Sequence, residues 1–173
     1  AYNTKDNLKF QHPALLEYVQ NGGTLVVQYH TNFELVVDKI APYPLKISRT
    51  RVTDEGAEVR FLLPEHPVLN APNKLTAKDF DGWVQERGLY FFGARDPKYV
   101  DVLKSADPWP KNPGDKKGLL VETTVGRGTW TYVGLGLFRQ LPSGTPGAYR
   151  ILANLISRPR GVAGPVKRAA SNR

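Results

Sequence analysis

Apolar residues at helical spacing, a glycine pair and then a compact apolar run make residues 13–31, PALLEYVQNGGTLVVQYHT, the clearest pattern in the chain. Leu15, Leu16 and Val19 share one helical face, Pro13 suits a first turn, and Gly22-Gly23 supplies the left-handed residue that ends a helix. Thr24 to Tyr29 then reads as a buried strand with polar side chains at its tip, which makes half of a βαβ unit. In open α/β sheets ligands collect outside the carboxyl ends of strands, so Tyr29, His30, Thr31 and Asn32 mark a candidate site.

Beyond this unit, strands alternate with short helical segments. Pro44 to Ser48 and Val59 to Leu63 read as strands joined by the polar RTRVTDEGAE. HPVLNAPNKLTAKDFDGW is broken by Pro67 and Pro72, which leaves room for short helical turns only. Leu89 to Phe92 is a compact apolar run, Tyr99 to Leu103 a weaker one, and Lys111 to Lys117 a hydrophilic loop. Gly118 to Val125 and Gly128 to Leu135 form a hairpin across Gly126-Arg127. A final helix from Pro146 to Ser157 places Tyr149, Leu152, Ala153 and Ile156 on the face expected to meet the sheet. No repeat is visible, and the order of elements predicts one α/β domain over residues 1–157. Ala1 to Thr4 reads as a loop leaving a strand outside the chain, as if the domain were amino-terminally shortened.

Composition narrows the classes of function. At 173 residues, 40% hydrophobic and 23% charged, the chain can bury a core. No apolar run reaches the roughly 18 residues of a membrane span and nothing at Ala1 resembles a signal peptide, so a soluble chain without a membrane span is expected. The absence of cysteine excludes disulfides, a thiolate nucleophile and cysteine-ligated metal. The net charge of +8 suggests nucleic acid until it is located. Arg158, Arg160, Lys167, Arg168 and Arg173 carry five of those charges in a tail, 158–173, that has no acid, and residues 1–157 keep an ordinary +3. That tail has too few large apolar side chains to offset the entropy of folding, and it is read as a solvated terminus before a phosphate-binding arm.

Candidate chemistry is sparse. His12, His30 and His66 are the only histidines, none at metal-ligand spacing from another, and His12 and His66 each precede proline as residues that begin turns or helices. The serines lack a glycine elbow, and Gly126-Arg127-Gly128 and Gly134-Leu135-Gly136 lack the Lys-Ser/Thr ending of a phosphate loop. The densest polar and aromatic stretch is Asp79 to Phe91. Its Trp83, Glu86, Arg87 and Tyr90 suit a sugar ring, whose C–H faces stack while its hydroxyls hydrogen-bond; the same residues also suit a buried ion-pair network orienting a long loop. Arg139, after the last strand, is a candidate partner for an acid or anionic ligand at the same sheet edge.

AYNTKDNLKFQHPALLEYVQNGGTLVVQYHT, APYPLKISRTRVTDE, HPVLNAPNKLTAKDFDGWVQERGLYF and GLGLFRQLPSGTPGAYRILANLIS, in this order, resemble the carboxyl-terminal domain of the large bacterial LmbE-like, PIG-L-type deacetylase proteins. The resemblance implies a class I glutamine amidotransferase-like domain: a flavodoxin-like three-layer sandwich with a mostly parallel sheet and an antiparallel hairpin near its end. It also implies an upstream zinc-dependent N-acetyl-sugar deacetylase domain as partner and a bacterial source, with the compartment open, extracytoplasmic included. Amidotransferases carry a nucleophilic cysteine in a G-x-C-x-G elbow after the strand that corresponds to Thr24–Tyr29. Here the stretch reads Gln28-Tyr29-His30-Thr31-Asn32, so that chemistry does not carry over. The deacetylase His-Pro-Asp-Asp cluster is missing too, since His12-Pro13 precedes Ala14-Leu15 and His66-Pro67 precedes Val68-Leu69. Zinc would belong to the other domain and no cofactor is expected in this chain. The expectation is a non-catalytic accessory domain that binds carbohydrate or docks the deacetylase domain, with ligand contacts among Tyr29, His30, Asn32, Trp83, Glu86, Arg87, Tyr90 and Arg139. The alternatives are a small hydrolase around His30 and a nucleic-acid module acting through the tail.

Overall fold

The computed structural model describes residues 2–37 and 39–158 and shows a mixed α/β fold. Helix α1 (Leu8–Gln20) starts five residues before Pro13, which therefore lies inside it and not in its first turn. The reason is that Leu8 and His12, which precede Pro13, are buried with Val19 on one stripe of the helix. Its other end forms as expected: Gly22 takes φ 105°, and the amides of Gly22 and Gly23 return to the carbonyls of Val19 and Tyr18 at 2.9 Å.

Strands β1 (Thr24–Gln28), β2 (Leu45–Ile47), β3 (Val59–Phe61), β4 (Phe92–Arg95), β5 (Val100–Asp101), β6 (Leu103–Ser105), β7 (Lys116–Lys117), β8 (Leu120–Val125) and β9 (Gly128–Val133) form three sheets. The main one runs β1-β9-β8-β5, beside a β2-β4 pair and a β3-β6-β7 sheet. Among the described residues β1 and β9 are the one parallel pair, and every other ladder is antiparallel. The expected mostly parallel sheet therefore does not form. The apolar runs between β1 and β8 fold back as short antiparallel pieces instead of supplying parallel crossovers.

Two of those pieces show how. The single strand expected at Tyr99–Leu103 divides at Val102, whose amide bonds Leu120 while its carbonyl accepts from Leu62, so β5 joins the main sheet and β6 joins β3. The strand expected at Leu89–Phe92 begins only at Phe92, because Gly88 is bridged to both Val52 and Leu135 and Tyr90 turns the backbone left-handed at φ 54°. The β8–β9 hairpin closes as read, with Gly126 at φ 57° in the first of two loop positions.

Short helices α2 (Pro67–Asn70) and α3 (Leu137–Gln140), a 3₁₀ turn at Ala77–Phe80 and helix α4 (Pro146–Ile156) complete the chain. On one face of the main sheet, Leu25 and Val27 join Val19, Trp130 and Tyr132 under α1; on the other, Val26, Leu120 and Val133 meet Ile151 and Leu155 of α4. The face of α4 differs from the expected one. Ala148, Ile151, Asn154 and Leu155 are buried, while Tyr149 and Ile156 are 50% and 65% exposed. Asn154 hid this stripe by its polarity; its side chain is buried because it accepts from the Asn73 amide and donates to the carbonyls of Val68 and Asn73.

A polar cluster lies under α4. His66 caps α2, its Nδ1 accepting from the Val68 amide at 3.3 Å, so the ring proton sits on Nε2, 3.4 Å from Glu122 Oε1. Glu122 accepts from Thr131 Oγ1 at 3.1 Å and from Arg158 at 2.7 Å. Arg158, the first residue assigned to the basic tail, is thus docked on the domain; residues 159–173, on which the rest of that reading falls, lie outside the described residues. Burial, helped by Arg158, pushes His66 down to about 4 from an ordinary 6.5. Between these values the unfolded chain binds more protons than the folded one, so stability drops as pH falls from about 6.5 to about 4, on the order of 3 kcal/mol from this group. Glu122, raised by burial, offsets part of it. His66→Asn keeps a capping oxygen and removes the titration, so its urea-unfolding stability should lose about 2 kcal/mol less between pH 7.5 and 4.5 than the parent chain. An equal loss in both would take His66 out of the acid response.

Candidate functional site

The tip of β1 is where backbone strain concentrates. Tyr29 follows the strand at φ 54°, and Glu34, Gln85 and Tyr90 share the left-handed region at 54°, 64° and 54°. A bulky side chain there costs about 1–3 kcal/mol unless its surroundings hold it, and such residues cluster at functional sites. Each tyrosine has its support. The hydroxyl of fully buried Tyr132 donates to the Tyr90 carbonyl at 2.6 Å. Beyond Tyr29, the buried side chain of Asn3 clamps Thr31, donating to its carbonyl at 2.8 Å and accepting from its amide at 3.2 Å.

The rings these backbones present meet edge to face. Tyr29 lies 5.5 Å from Tyr90 and 4.7 Å from Phe138, and Phe33 is 6.3 Å from Tyr90, centroid to centroid. Phe33 and Phe138 are 42% and 36% exposed, so the group is an aromatic surface and not a core. Arg139 crosses it, its guanidinium 4.9 Å from the Phe138 ring and its Nε donating to Glu86 Oε1 at 2.9 Å. Two residues before Glu86, the backbone of Val84 is pinned by the fully buried Gln140, whose amide accepts from the Val84 N–H at 2.8 Å and donates to the Val84 carbonyl at 2.9 Å. The Tyr29 phenol is raised by burial and by Tyr90, with Arg139 pulling the other way, so it stays neutral at physiological pH.

Of the eight residues singled out in the sequence, Tyr29, Glu86, Tyr90 and Arg139 come together on this face. Asn32 is half-buried in the loop after it. His30, Trp83 and Arg87 lie inside. His30 is fully buried and stacked 5.9 Å from Tyr132, and burial, with His12 adding to it, pushes its imidazole down to about 3. Trp83 is 4% exposed and donates to the Asp79 carbonyl at 3.0 Å. Arg87 is enclosed between Phe80 and Trp83, 5.6 Å and 5.0 Å from their rings, and donates to the carbonyls of Ala57 and Phe80. The Asp79–Phe91 segment thus divides: Asp79, Trp83 and Arg87 form the structural network, Tyr90 is half-buried beside Tyr29, and Glu86, itself buried, reaches the face only through its pair with Arg139.

Sequence reasoning missed Phe33 and the supporting residues Asn3, Tyr132 and Gln140. Only Gln140 carried a signal, as the neighbour of Arg139 after the last strand. Among the described residues, no three of His, Asp and Glu gather as a metal would require. A groove of ≈ 580 Å³ lies at the opposite end of β1, lined by Glu17, Tyr18, Asn21, Gly22, Gly23 and Arg127 among others; it brings no acid–base pair toward the aromatic face. In comparisons with known proteins, no family model, no curated protein and no solved structure matches the chain.

Proposed function

We propose that this chain is a non-catalytic, amidotransferase-like accessory domain that binds carbohydrate on the face formed by Tyr29, Phe33, Tyr90 and Phe138, with Arg139, held in place by buried Glu86, as its polar contact. The observation that carries this reading is the pair of left-handed tyrosines, held by buried neighbours so that their half-buried rings meet the exposed Phe138 and the Arg139 guanidinium on one face. Aromatic rings offer faces to the C–H side of a pyranose, and an arginine fixed by a buried carboxylate offers its remaining donors to its hydroxyls.

The sequence resemblance to the carboxyl-terminal domain of LmbE-like deacetylase proteins agrees with it. There zinc hydrolysis of N-acetyl sugars belongs to a separate domain, and this one would hold the substrate or that domain. The strained turn after β1 also supports an amidotransferase-like ancestry, because a nucleophile elbow is such a turn after a strand and Tyr29 takes its backbone shape with a neutral phenol in place of a thiol. The hydrolase alternative draws no support from His30, which is sealed from solvent and neutral.

Titration of the isotope-labelled chain with a β-1,4-linked N-acetylglucosamine disaccharide tests the proposal. Saturable shifts are expected at Tyr29, Tyr90 and Phe138, and Phe138→Ala should weaken binding about fivefold, or ~1 kcal/mol. Shifts confined to other surfaces, or hydrolysis of the disaccharide by this chain alone, would overturn it.

A further inference from the structure

The polar groups left over on the aromatic face are donors. Among the described groups whose charge acts on the Tyr29 phenol, Glu86 is the only carboxylate, and it is buried and engaged by Arg139 Nε. The Arg139 side chain is 36% exposed, and neither of its terminal nitrogens is bonded among the described residues. Its guanidinium therefore keeps an end with two parallel N–H groups. The Tyr29 hydroxyl has no hydrogen-bond partner among the described residues either and keeps its proton at physiological pH, so it too can donate.

A second cation reaches the same face from another stretch of chain. Val52 exchanges backbone bonds with Gly88 at 3.0 Å and 3.2 Å, and the Thr50 carbonyl accepts from the Phe91 amide at 3.1 Å. Arg51, between them, therefore runs beside Leu89 and Tyr90. Val52 and Leu89 are buried in the interior while Arg51 is exposed, and its charge, like that of Arg139, acts on the Tyr29 phenol. No carboxylate pairs with Arg51 among the described residues. Two permanent cations thus meet the tyrosines where one carboxylate is already in use. A ligand made only of hydroxyls would leave the extra positive charge unanswered, whereas a carboxylate accepts from the planar fork of a guanidinium with both oxygens.

We propose that this face selects an acidic saccharide, one whose ring carries a carboxylate as a uronic acid does, with the sugar packed on Tyr29, Tyr90 and Phe138 and its carboxylate held by Arg139 and Arg51. The inference rests on the carbohydrate reading and names the class of sugar. A carboxylate on a pyranose suits the site better than one on a flexible side chain. The Arg139 guanidinium is itself fixed, 4.9 Å from the Phe138 ring and bonded to Glu86, so a rigid ring can present its carboxylate at a set distance from the C–H side that covers the aromatic rings.

Titration of the whole chain with a tetrasaccharide of alternating glucuronic acid and N-acetylglucosamine, and with the same tetrasaccharide after reduction of each carboxylate to a hydroxymethyl group, tests this. The acidic form should bind at least about fivefold more tightly in about 10 mM salt, and the ratio should approach one in about 500 mM salt. Arg51→Gln, at an exposed position, should bring the ratio in low salt below about twofold with an unchanged melting temperature. Equal affinity for the two forms, with both bound, would overturn the acid preference and leave carbohydrate binding standing. No binding of either form, nor of the neutral disaccharide, would remove both. A ratio that Arg51→Gln leaves intact would also overturn the proposal, and so would a hexaglutamate peptide that displaces the acidic sugar at equal concentration, since the face would then read charge without the ring.

Discussion

Gly147→Ala is expected to destabilise the fold by about 3 kcal/mol or more, a melting point lowered by roughly 6–12 °C in a domain of this size. Gly147 lies in the first turn of α4 where the helix crosses the 3₁₀ turn at Ala77–Phe80. A Cβ there would sit 1.8 Å from the Asp79 carbonyl oxygen, 2.4 Å from its carbon and 2.6 Å from its Cα. These are backbone atoms, so neither a rotamer change nor a flexible tip can relieve the overlap. The contact is also fixed from both sides: Arg150 pairs with Asp79 at 2.6 Å, and Asn154 bonds three backbone groups of Val68 and Asn73. Gly144→Ala provides the comparison. Gly144 has φ 72° but no atom within 4 Å of the added carbon, so it should lose only about 1 kcal/mol, from backbone strain. Thermal melts of the two variants within about 2 °C of each other would mean that α4 does not sit on the 3₁₀ turn at this distance.

Arg87→Ala should be at least as costly, about 3–5 kcal/mol, while leaving the proposed carbohydrate binding unchanged in the folded fraction. The Arg87 guanidinium, 2% exposed, donates from Nε and Nη2 to the Ala57 carbonyl at 3.0 Å and 2.8 Å and from Nη1 to the Phe80 carbonyl at 2.8 Å, between two aromatic rings. Truncation removes the donors of two enclosed carbonyls and opens a hole the size of the side chain, and both losses are counted in full when nothing can relax into the gap. Burial pushes Arg87 down to about 10, which still leaves it charged at neutral pH. Arg87→Lys restores the charge without the planar fork and should recover less than half of the loss. Denaturant midpoints for both variants, with sugar titrations on each, check this. Lost sugar binding at retained stability would move Arg87 back to the ligand face.

The parts of the fold legible in the sequence are those set by local chemistry. Gly22-Gly23 ends α1, Gly126-Arg127 closes the β8–β9 hairpin, and His66-Pro67 opens a short helix, because each needs only its neighbours. What escaped was decided at long range. Whether Val100 pairs with Glu122 or Leu103 with Phe61 depends on partners 22 and 42 residues away, and a run of apolar residues gives no sign that it will divide between two sheets. The face of α4 escaped because a buried asparagine looks like a solvent residue until the carbonyls of Val68 and Asn73 are in place. At the site, Glu86, Tyr90, Tyr29 and Arg139 were legible as aromatic and charged residues near strand ends. Trp83 and Arg87 have the same composition and lie inside away from this face, and Glu86 is buried at its edge, since residue type alone does not say which side of a loop faces water. The left-handed backbone of Tyr29 and Tyr90 had no local signal at all, because tyrosine is not a residue that favours it.

The ion pair between Arg158 and Glu122 sets where this unit can be trimmed. The apolar helix ends at Ile156 and the charge-rich sequence begins two residues later, so a protease or an engineer guided by hydrophobicity would cut between Ser157 and Arg158. That cut would remove the permanent cation from a carboxylate enclosed beneath α4 and leave it beside a neutral imidazole. The shortened piece would have to protonate Glu122 or admit water to it, and would become acid-loving where the longer one is not.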